Sequence, residues 1–321
     1  MIPFRHPSHT GRISSPLQVL LGGMGQLFVR PDESARPAQA CPSESAPQSL
    51  SVAEMAKTMA VRSPATEILP GVFASGGVEV IYYIQCGDRA VLVDTGFVHT
   101  FPAHLENFRN LGLDLSVIDA VLVCHIHVDH ASALADARRI LRAPVITHVN
   151  NVPIFASGDR IATAAYVPFI GWDFPFQPYA IDYPVEDGDK VVVGSTTFEI
   201  VHLPGHTPGC TGYLFGDHWL ITGDVVLPGG ILGWNDAHWG SNLLDIIDTM
   251  QRLAEIKPKV CIPTHGSPWD YDHSTSDGAI ARAQFLLEPF STAGGIVFTF
   301  RAPRAAPGRV ANTIRPQRFP A

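Results

Sequence analysis

Residues 118–130 read IDAVLVCHIHVDH, an apolar run followed at once by a cluster of three histidines and one aspartate. Histidine and aspartate are poor strand and helix formers, so placing them side by side is costly unless something binds them. Imidazole and carboxylate groups are common protein ligands for metal ions. The stretch therefore predicts a buried strand that ends in a metal-binding loop, and the alternative is a loop of solvent-facing polar residues.

Three further apolar runs end in the same kind of side chain. FEIVHLPG leads to His206, HWLITG leads to Asp224, and KVCIPT leads to His265. Because the loops at the carboxyl ends of strands gather into sites in α/β proteins, we expect these side chains to meet. The candidate metal ligands are His125, His127, Asp129, His130, His206, Asp224 and His265.

The spacing within CHIHVDH divides its ligands between two positions. Residues two apart in an extended segment face the same way, so His125 and His127 can reach one cation together. Asp129 and His130, at the start of a helix, then point to a neighbouring position.

The later ligands complete this arrangement. We expect His206 to join the first position, His265 to join the second, and Asp224 to bridge them. A ligand set without thiolate suits two divalent metal ions, Zn²⁺ first, with Mn²⁺ or Fe²⁺ as alternatives. Two such ions about 3.5–4 Å apart would share a water, lower its pKa towards 7 and direct it at a bound carbonyl.

The body of the chain alternates strand and helix patterns. Three β-hairpins are predicted, within VEVIYYIQCGDRAVLVDTG, KVVVGSTTFEIVHLPG and GYLFGDHWLITGD. Helical spacing occurs in FPAHLENFRNLG, ASALADARRILR, SNLLDIIDTMQRLAEI and AIARAQFLLE. Strands interleaved with helices favour a mixed α/β body with helices covering sheets.

The segments HIHVDH, HLPGHTPG, TGD and PTHG resemble the motifs of the metallo-β-lactamase superfamily, in its glyoxalase II-like and lactonase-like branch. The resemblance runs from about Glu67 to Gly266. It implies a four-layer αββα sandwich. It also implies that Asp94, at the end of VLVDTG, lies beneath the site and orients a ligand histidine; the alternative is that Asp94 only forms the turn before Thr95.

Departures from the family patterns narrow the choice of activity. The aspartate at position 224 argues against a true β-lactamase, and the 56 residues after His265 leave no room for a flavodoxin domain. The segment AIARAQFLLEPFSTAGGIVF, residues 279–298, holds Arg282 as its one basic residue, whereas glyoxalase II-type enzymes use basic residues in their C-terminal helices to bind glutathione. VVLPGG after Asp224 lacks the tyrosine of quorum-signal lactonases.

The function predicted on these grounds is that of a dinuclear metal-dependent hydrolase. It would cleave an ester, lactone or thioester of an apolar small molecule through a metal-bridging hydroxide. Asp224 would bridge the ions and, with Asp129, pass a proton to the leaving group. Two alternatives stay open: a mononuclear iron persulfide dioxygenase, and a non-catalytic metal-bearing ligand sensor.

Aromatic side chains are dense in 154–183 and in GWNDAHWG after Asp224, without helical spacing. Their density beside a metal centre predicts an apolar wall or lid for the substrate. The alternative is that they pack a long connection or form a homodimer contact. The candidate pocket residues are Phe155, Tyr166, Phe169, Trp172, Phe174, Trp234, His238 and Trp239.

Charge and composition set the domain limits. Residues 1–63 are predicted to be a flexible N-terminal extension, 64–299 the hydrolase domain, and 300–321 a basic, solvated C-terminal tail with five arginines and no acid. Residues 64–299 carry 11 basic and 26 acidic side chains, a net charge of −15, which argues against nucleic-acid binding.

No apolar run reaches the roughly 18–20 residues of a membrane span. Five scattered cysteines without a CxxC pair favour a reducing compartment, so we expect a cytoplasmic protein rather than one with an export or organellar signal.

Overall fold

The computed structural model describes residues 64–292, 301–306 and 308–320. The predicted N-terminal extension, residues 1–63, lies outside the described residues. No helix in the described ranges is both long and apolar enough to cross a membrane.

The secondary structure alternates as the sequence predicts. The strands are β1 Thr66–Leu69, β2 Val72–Gly76, β3 Val80–Cys86, β4 Arg89–Val93, β5 Ile118–Leu122, β6 Val145–His148, β7 Tyr166–Val167, β8 Trp172–Asp173, β9 Tyr183–Val185, β10 Lys190–Val193, β11 Thr196–His202, β12 Thr211–Phe215, β13 Trp219–Gly223, β14 Val260–Pro263, β15 Trp269–Asp270 and β16 Thr313–Ile314. The α-helices are α1 Phe101–Asn110, α2 Val128–Ala131, α3 Leu134–Leu141, α4 Val152–Ser157, α5 Leu243–Ile256 and α6 His273–Thr292. Single 3₁₀ turns lie at Leu115–Val117, Val149–Asn151, Pro168–Ile170, Pro228–Gly230 and Ala237–Trp239.

Two large mixed sheets form the centre of the molecule. Sheet 1 has the order β1-β2-β3-β4-β5-β6-β9, and sheet 2 has the order β15-β14-β13-β12-β11-β10-β16. The three predicted hairpins are present as the antiparallel pairs β3–β4, β10–β11 and β12–β13. Strand β5 runs parallel to β4, and β13 runs parallel to β14. The carboxyl ends of each parallel pair, from which the candidate ligands follow, therefore lie at the same edge of the sheet.

Buried side chains form three apolar layers, which makes the fold a four-layer αββα sandwich. One cluster lies between sheet 1 and helices α1 and α3, a second lies between the two sheets, and a third lies between sheet 2 and helices α5 and α6. Strand β3 contributes to two of these layers, because alternate side chains point to opposite faces of the sheet: Ile81 and Tyr83 face the helices, whereas Tyr82 and Ile84 face the other sheet. Both faces of a central strand are therefore apolar, as the unbroken runs in the sequence indicate.

The helices form over the stretches with helical spacing and bury one face of each. Helix α1 has a proline in its first turn and buries Phe101, His104, Leu105 and Phe108, which lie on one face at three- and four-residue spacing. Helix α5 begins at an Asn242 cap, whose side chain accepts from the backbone N–H groups of Leu244 and Asp245.

The C-terminal tail differs from the prediction of a solvated extension. Strand β16 adds to the edge of sheet 2 in parallel with β10. Arg309 donates to both carboxylate oxygens of the buried Asp189 at 2.8 Å, and Arg301 pairs with Asp245 and Asp248. The physical reason is charge complementarity: a basic segment beside a strongly acidic body finds carboxylates to pair with, two of them buried.

Candidate metal centre

Three imidazole nitrogens converge after β5 and β11. Nε2 of His125 lies 3.2 Å from Nδ1 of His127, and Nε2 of His206 lies 3.2 Å and 3.0 Å from these two atoms. A ring nitrogen presents one in-plane lone pair or one hydrogen, so hydrogen bonds cannot close such a triangle. A Zn–N bond of about 2.0–2.1 Å places the ligand atoms of a tetrahedron about 3.3–3.4 Å apart, so the three nitrogens fit a cation at their centre.

A second group lies beside the first. Oδ2 of Asp129 is 3.2 Å from Nε2 of His130 and 3.1 Å from Nε2 of His265, and the two ring nitrogens are 3.2 Å apart. The carboxylate and the two imidazoles thus form a second triangle of donor atoms of the size that a metal ion accepts.

Asp224 lies between the two groups. Its Oδ2 is 3.2 Å from Nε2 of His265 and 3.5 Å from Nε2 of His130. It is also 3.8 Å from Nε2 of His206 and 4.0 Å from Nε2 of His125. All seven side chains that the sequence singles out therefore lie together, and one carboxylate oxygen faces both groups.

Residues behind the site hold the ligands in place. Asp94, at φ 60° directly after β4, accepts from the backbone N–H of Cys124 at 2.7 Å, and its other oxygen lies 3.0 Å from Nδ1 of His130. The hydroxyl of Thr264 donates to Oδ1 of Asp224 at 2.7 Å. Both contacts use the side of the ligand that faces away from the cluster, which leaves the other side for a cation.

Comparison with known proteins identifies the family. The family model described as "Metallo-beta-lactamase superfamily" matches residues 74–289, which is more than half of the chain. The chain belongs to this superfamily. A solved structure has a similar fold: a metallo-beta-lactamase with a HARLDQ motif from Cronobacter sakazakii has a TM-score of 0.60 at 21% identity, covering 74% of this chain and 98% of that one. At this identity the likeness shows the fold alone.

Similar sequences in the superfamily include named hydrolases. Acyl-coenzyme A thioesterase MBLAC2 of Bos taurus is 25% identical over 204 residues, covering 57% of this chain and 70% of that protein. Hydroxyacylglutathione hydrolase 2 of Vibrio vulnificus is 31% identical over 151 residues, covering 47% and 48%. A probable metallo-hydrolase of Methanocaldococcus jannaschii is 26% identical over 191 residues, covering 59% and 88%. A metal-dependent hydrolase fits this set of superfamily relatives.

The electrostatics of the first group favour neutral imidazoles. Burial lowers the pKa of His125 and His127 well below the usual range, and the neighbouring imidazoles lower them further. Burial likewise lowers the pKa of His206 to about 4. All three rings are therefore neutral at pH 7 and have a lone pair to offer a cation.

In the second group the carboxylates favour protonated imidazoles. Burial lowers the pKa of His130 and His265, but the Asp129 and Asp224 carboxylates outweigh burial and raise the pKa of His265 to about 10 and that of His130 well above its usual range. Burial raises the pKa of both aspartates, yet the adjacent imidazoles hold these values well below the usual range. A cation that enters this group therefore displaces protons from the two histidines.

The predicted pocket residues divide between the core and the site. Three tryptophans lie by the first group: the Trp239 ring is 4.8 Å from that of His127 and 4.9 Å from that of Trp234, and Trp234 is 6.1 Å from Trp172. Tyr166 is exposed and lies beside Arg160, and His238 is exposed and paired with Asp236 at 2.7 Å. The side chain of Phe169 lies outside the described part of the chain.

Two of the predicted pocket residues lie in the apolar core. Phe155 and Phe174 are 0% and 1% exposed and belong to the core between sheet 1 and its helices. Phe155 stacks on Phe176, and Phe174 packs on Phe97. The long connection lies over the sandwich and inserts part of its aromatic content into it, so these rings pack the fold instead of lining a substrate wall.

The sequence analysis missed a buried polar group near the site. Glu79 and His104 are both 0% exposed and lie 3.1 Å apart. Thr100 donates to the same carboxylate oxygen at 2.6 Å. A lone acid inside the apolar run VEVIYYIQC was the available signal, because a charged residue is rarely fully buried without a partner.

Proposed function

We propose that the chain is a dinuclear metal-dependent hydrolase, with Zn²⁺ as the metal, that cleaves a thioester, ester or lactone of an apolar acyl compound. The observation that carries the proposal is the position of Asp224, whose Oδ2 faces His130 and His265 on one side and His125 and His206 on the other. A carboxylate oxygen placed between two groups of imidazole and carboxylate donors is suited to bridge two cations.

The relatives favour a thioester as the first bond to test. Two of them are named for the hydrolysis of acyl-coenzyme A and of hydroxyacylglutathione. Both of those compounds carry an acyl group on sulfur. Trp239 contacts His127, Trp234 contacts Trp239, and Trp172 contacts Trp234, and this row offers an apolar surface that suits the acyl part of such a substrate.

The residues of the site then have separate tasks. His125, His127 and His206 would hold one ion, and Asp129, His130 and His265 the other. Divalent ions supply Lewis-acid polarisation of a carbonyl and acidify water at neutral pH. In the reaction the acyl carbon–sulfur or carbon–oxygen bond breaks and a bond from that carbon to the water oxygen forms. The water proton would reach the leaving atom through the carboxylates of Asp129 and Asp224, which are anionic before the reaction begins.

Metal content and turnover test the proposal together. Protein purified without chelators should contain about two zinc ions per chain by inductively coupled plasma mass spectrometry, and should hydrolyse members of a thioester, ester and lactone panel of graded acyl length. Asp224→Ala should reduce the metal content and lower turnover at least about 100-fold, the scale expected for losing one electrostatic catalytic group. Asp217→Ala, at an exposed aspartate just before the same strand, is the matched control and should change neither.

Other outcomes would replace the proposal. One iron per chain with oxygen uptake on a persulfide would assign a dioxygenase instead. Two metals with binding but no turnover across the panel would assign a ligand sensor. Full turnover in Asp224→Ala would refute the bridging role.

A further inference from the structure

Strand β3 and the turn before it contact the segment that carries His265. The carbonyl of Val78 accepts from Nδ1 of His265 at 2.7 Å, and the N–H of Val80 donates to the carbonyl of Thr264 at 2.9 Å. The hydroxyl of Tyr82 donates to the carbonyl of Pro263. Since β3 belongs to sheet 1 and residues 263–265 follow a strand of sheet 2, these three bonds fix the second ligand group across the sandwich.

The bond from Val78 sets which nitrogen of His265 faces the site. A ring whose Nδ1–H donates to a carbonyl presents Nε2 to the other side, and Nε2 is the atom that lies 3.1 Å from Asp129 and 3.2 Å from Asp224. The orientation of His265 therefore depends on where the peptide between residues 78 and 79 is held.

The next side chain, Glu79, anchors that peptide. Its carboxylate is fully buried, and one oxygen takes contacts from Thr100 at 2.6 Å and from Nε2 of His104 at 3.1 Å. His104 is fixed in turn, because its Nδ1 lies 2.9 Å from the hydroxyl of Ser75. A buried carboxylate with these partners cannot move without leaving them unpaired, so the turn has one position.

The loop after β4 packs closely against this pair. A Cβ added at Gly96 would lie 3.0 Å from Oε1 of Glu79 and 3.3 Å from Nε2 of His104, and Gly96 has a φ of +69°. The loop that carries Gly96 follows β4 and Asp94, which itself contacts His130. The pair is therefore wedged between helix α1, the turn before β3 and the loop behind the metal centre.

We propose that Glu79 and His104 are positioning residues for the second metal position, acting through the Val78 carbonyl on His265. This inference rests on the proposed function, because it assigns the pair to one of its two metal positions. The pair should affect only one of the two metal positions, because none of the bonds described above reaches His125, His127 or His206. Weakening the pair should lower affinity at the second position about 10- to 100-fold, as changes behind a metal ligand do, and leave the first position unchanged.

Stepwise metal titration tests the separation. Metal-free protein is titrated with Co²⁺ while visible absorption is recorded, and two binding steps are fitted. Glu79→Gln and His104→Gln keep most of the volume but remove the charged contact, and each should weaken one step at least 10-fold while the other changes less than twofold. Asp189→Asn, at a buried paired carboxylate in the turn before β10, is the control and should leave both steps unchanged. Unchanged steps in the Glu79 and His104 variants, or equal weakening of both steps, would overturn the inference.

A second readout needs no metal. The Nδ1 proton of His265, bonded to a carbonyl, should give a slowly exchanging low-field signal in proton NMR of the metal-free protein. Its loss in His265→Gln assigns it to this ring, and proton–nitrogen correlation distinguishes the Nδ1 proton from the Nε2 proton. Glu79→Gln should abolish this signal, and Asp189→Asn should retain it. A retained signal in Glu79→Gln would refute the positioning role. If the wild-type protein binds a single ion and the Glu79→Gln variant still loses the signal, the dinuclear function is refuted and the positioning role is retained.

Discussion

His148 and His202 form a buried stacked pair outside the metal centre, with ring centroids 3.8 Å apart and planes inclined by 8°. Nδ1 of His148 accepts from the N–H of Asn150, and Nε2 of His202 lies 2.9 Å from the carbonyl of Pro208. Burial, and to a smaller extent the neighbouring ring of His202, lowers the pKa of His148 to about 3. Two stacked rings in the interior thus require at least one of them to be neutral.

This pair predicts acid sensitivity of a definite sign. An unfolded histidine takes up a proton near pH 6.5, whereas folded His148 stays neutral down to about pH 3. The contribution to stability is therefore complete above pH 6.5 and is lost as the pH falls towards 3, at up to about 1.4 kcal/mol per pH unit. His148→Asn, which keeps an acceptor for the Asn150 N–H but cannot titrate, should show a shallower decline of the free energy of unfolding in urea melts from pH 7 to pH 4. An unchanged slope in this variant would assign the acid sensitivity to other groups.

Among the elements, the C-terminal tail makes the most testable packing contact. The guanidinium of Arg309 donates in parallel to both oxygens of Asp189, which is 1% exposed, and it also pairs with Glu186 at 3.1 Å. The N–H of Asn312 donates to Asp189 just before β16 begins. The ion pair thus sets the register in which the tail joins the sheet.

Arg309→Gln should destabilise the protein by about 3 kcal/mol, the lower end of the range for breaking a buried pair, because Asp189 is left charged and underpaired. Arg309→Lys should recover only part of this loss, since a lysine cannot donate two parallel bonds. The exposed Arg315, in the same tail, provides the control Arg315→Gln, which should change the free energy of unfolding by less than about 0.5 kcal/mol. Equal effects at 309 and 315 would mean that the tail does not depend on this pair.

The C-terminal tail contains the secondary-structure element that the sequence does not predict, strand β16. The hairpins and helices could be predicted because their signals are local: short apolar runs separated by a Gly-containing turn, or apolar residues at helical spacing. Strand β16 is two residues long and pairs with β10 more than a hundred residues earlier, so no local pattern indicates it. The direction in which an aromatic side chain of 154–183 points is equally non-local, which is why Phe155, on the short helix α4, and Phe174 could be noticed but not assigned to the core.

The ligand cluster was predictable for the opposite reason. Each of its members follows an apolar strand, and the carboxyl ends of such strands meet at one edge whatever the details of the loops. Glu79 follows no such rule. Its partner His104 lies on another element, and only the packed fold places the two 3.1 Å apart.

At the scale of the described domain, the candidate metal centre lies where the two sheets meet. His125, His127, Asp129 and His130 follow β5 of sheet 1, whereas His206, Asp224 and His265 follow strands of sheet 2. Each proposed metal position takes ligands from both sheets. Bound ions would therefore join the two halves of the sandwich at the edge of the apolar layer between them.

Removing metal should consequently destabilise the whole domain as well as stop turnover. A ligand that binds only the folded state stabilises it by about 4 kcal/mol when present at 1,000 times its dissociation constant. For a domain of this size about 1 kcal/mol shifts the melting temperature by about 2–4 °C, so the chelated protein should melt about 10 °C below the zinc-loaded protein in calorimetry. Re-addition of zinc should restore the higher value, and Asp224→Ala should show a smaller difference because it holds less metal. Equal melting temperatures with and without zinc would mean that the two sheets are held together by their apolar layer alone, and that the ions serve the chemistry without serving the fold.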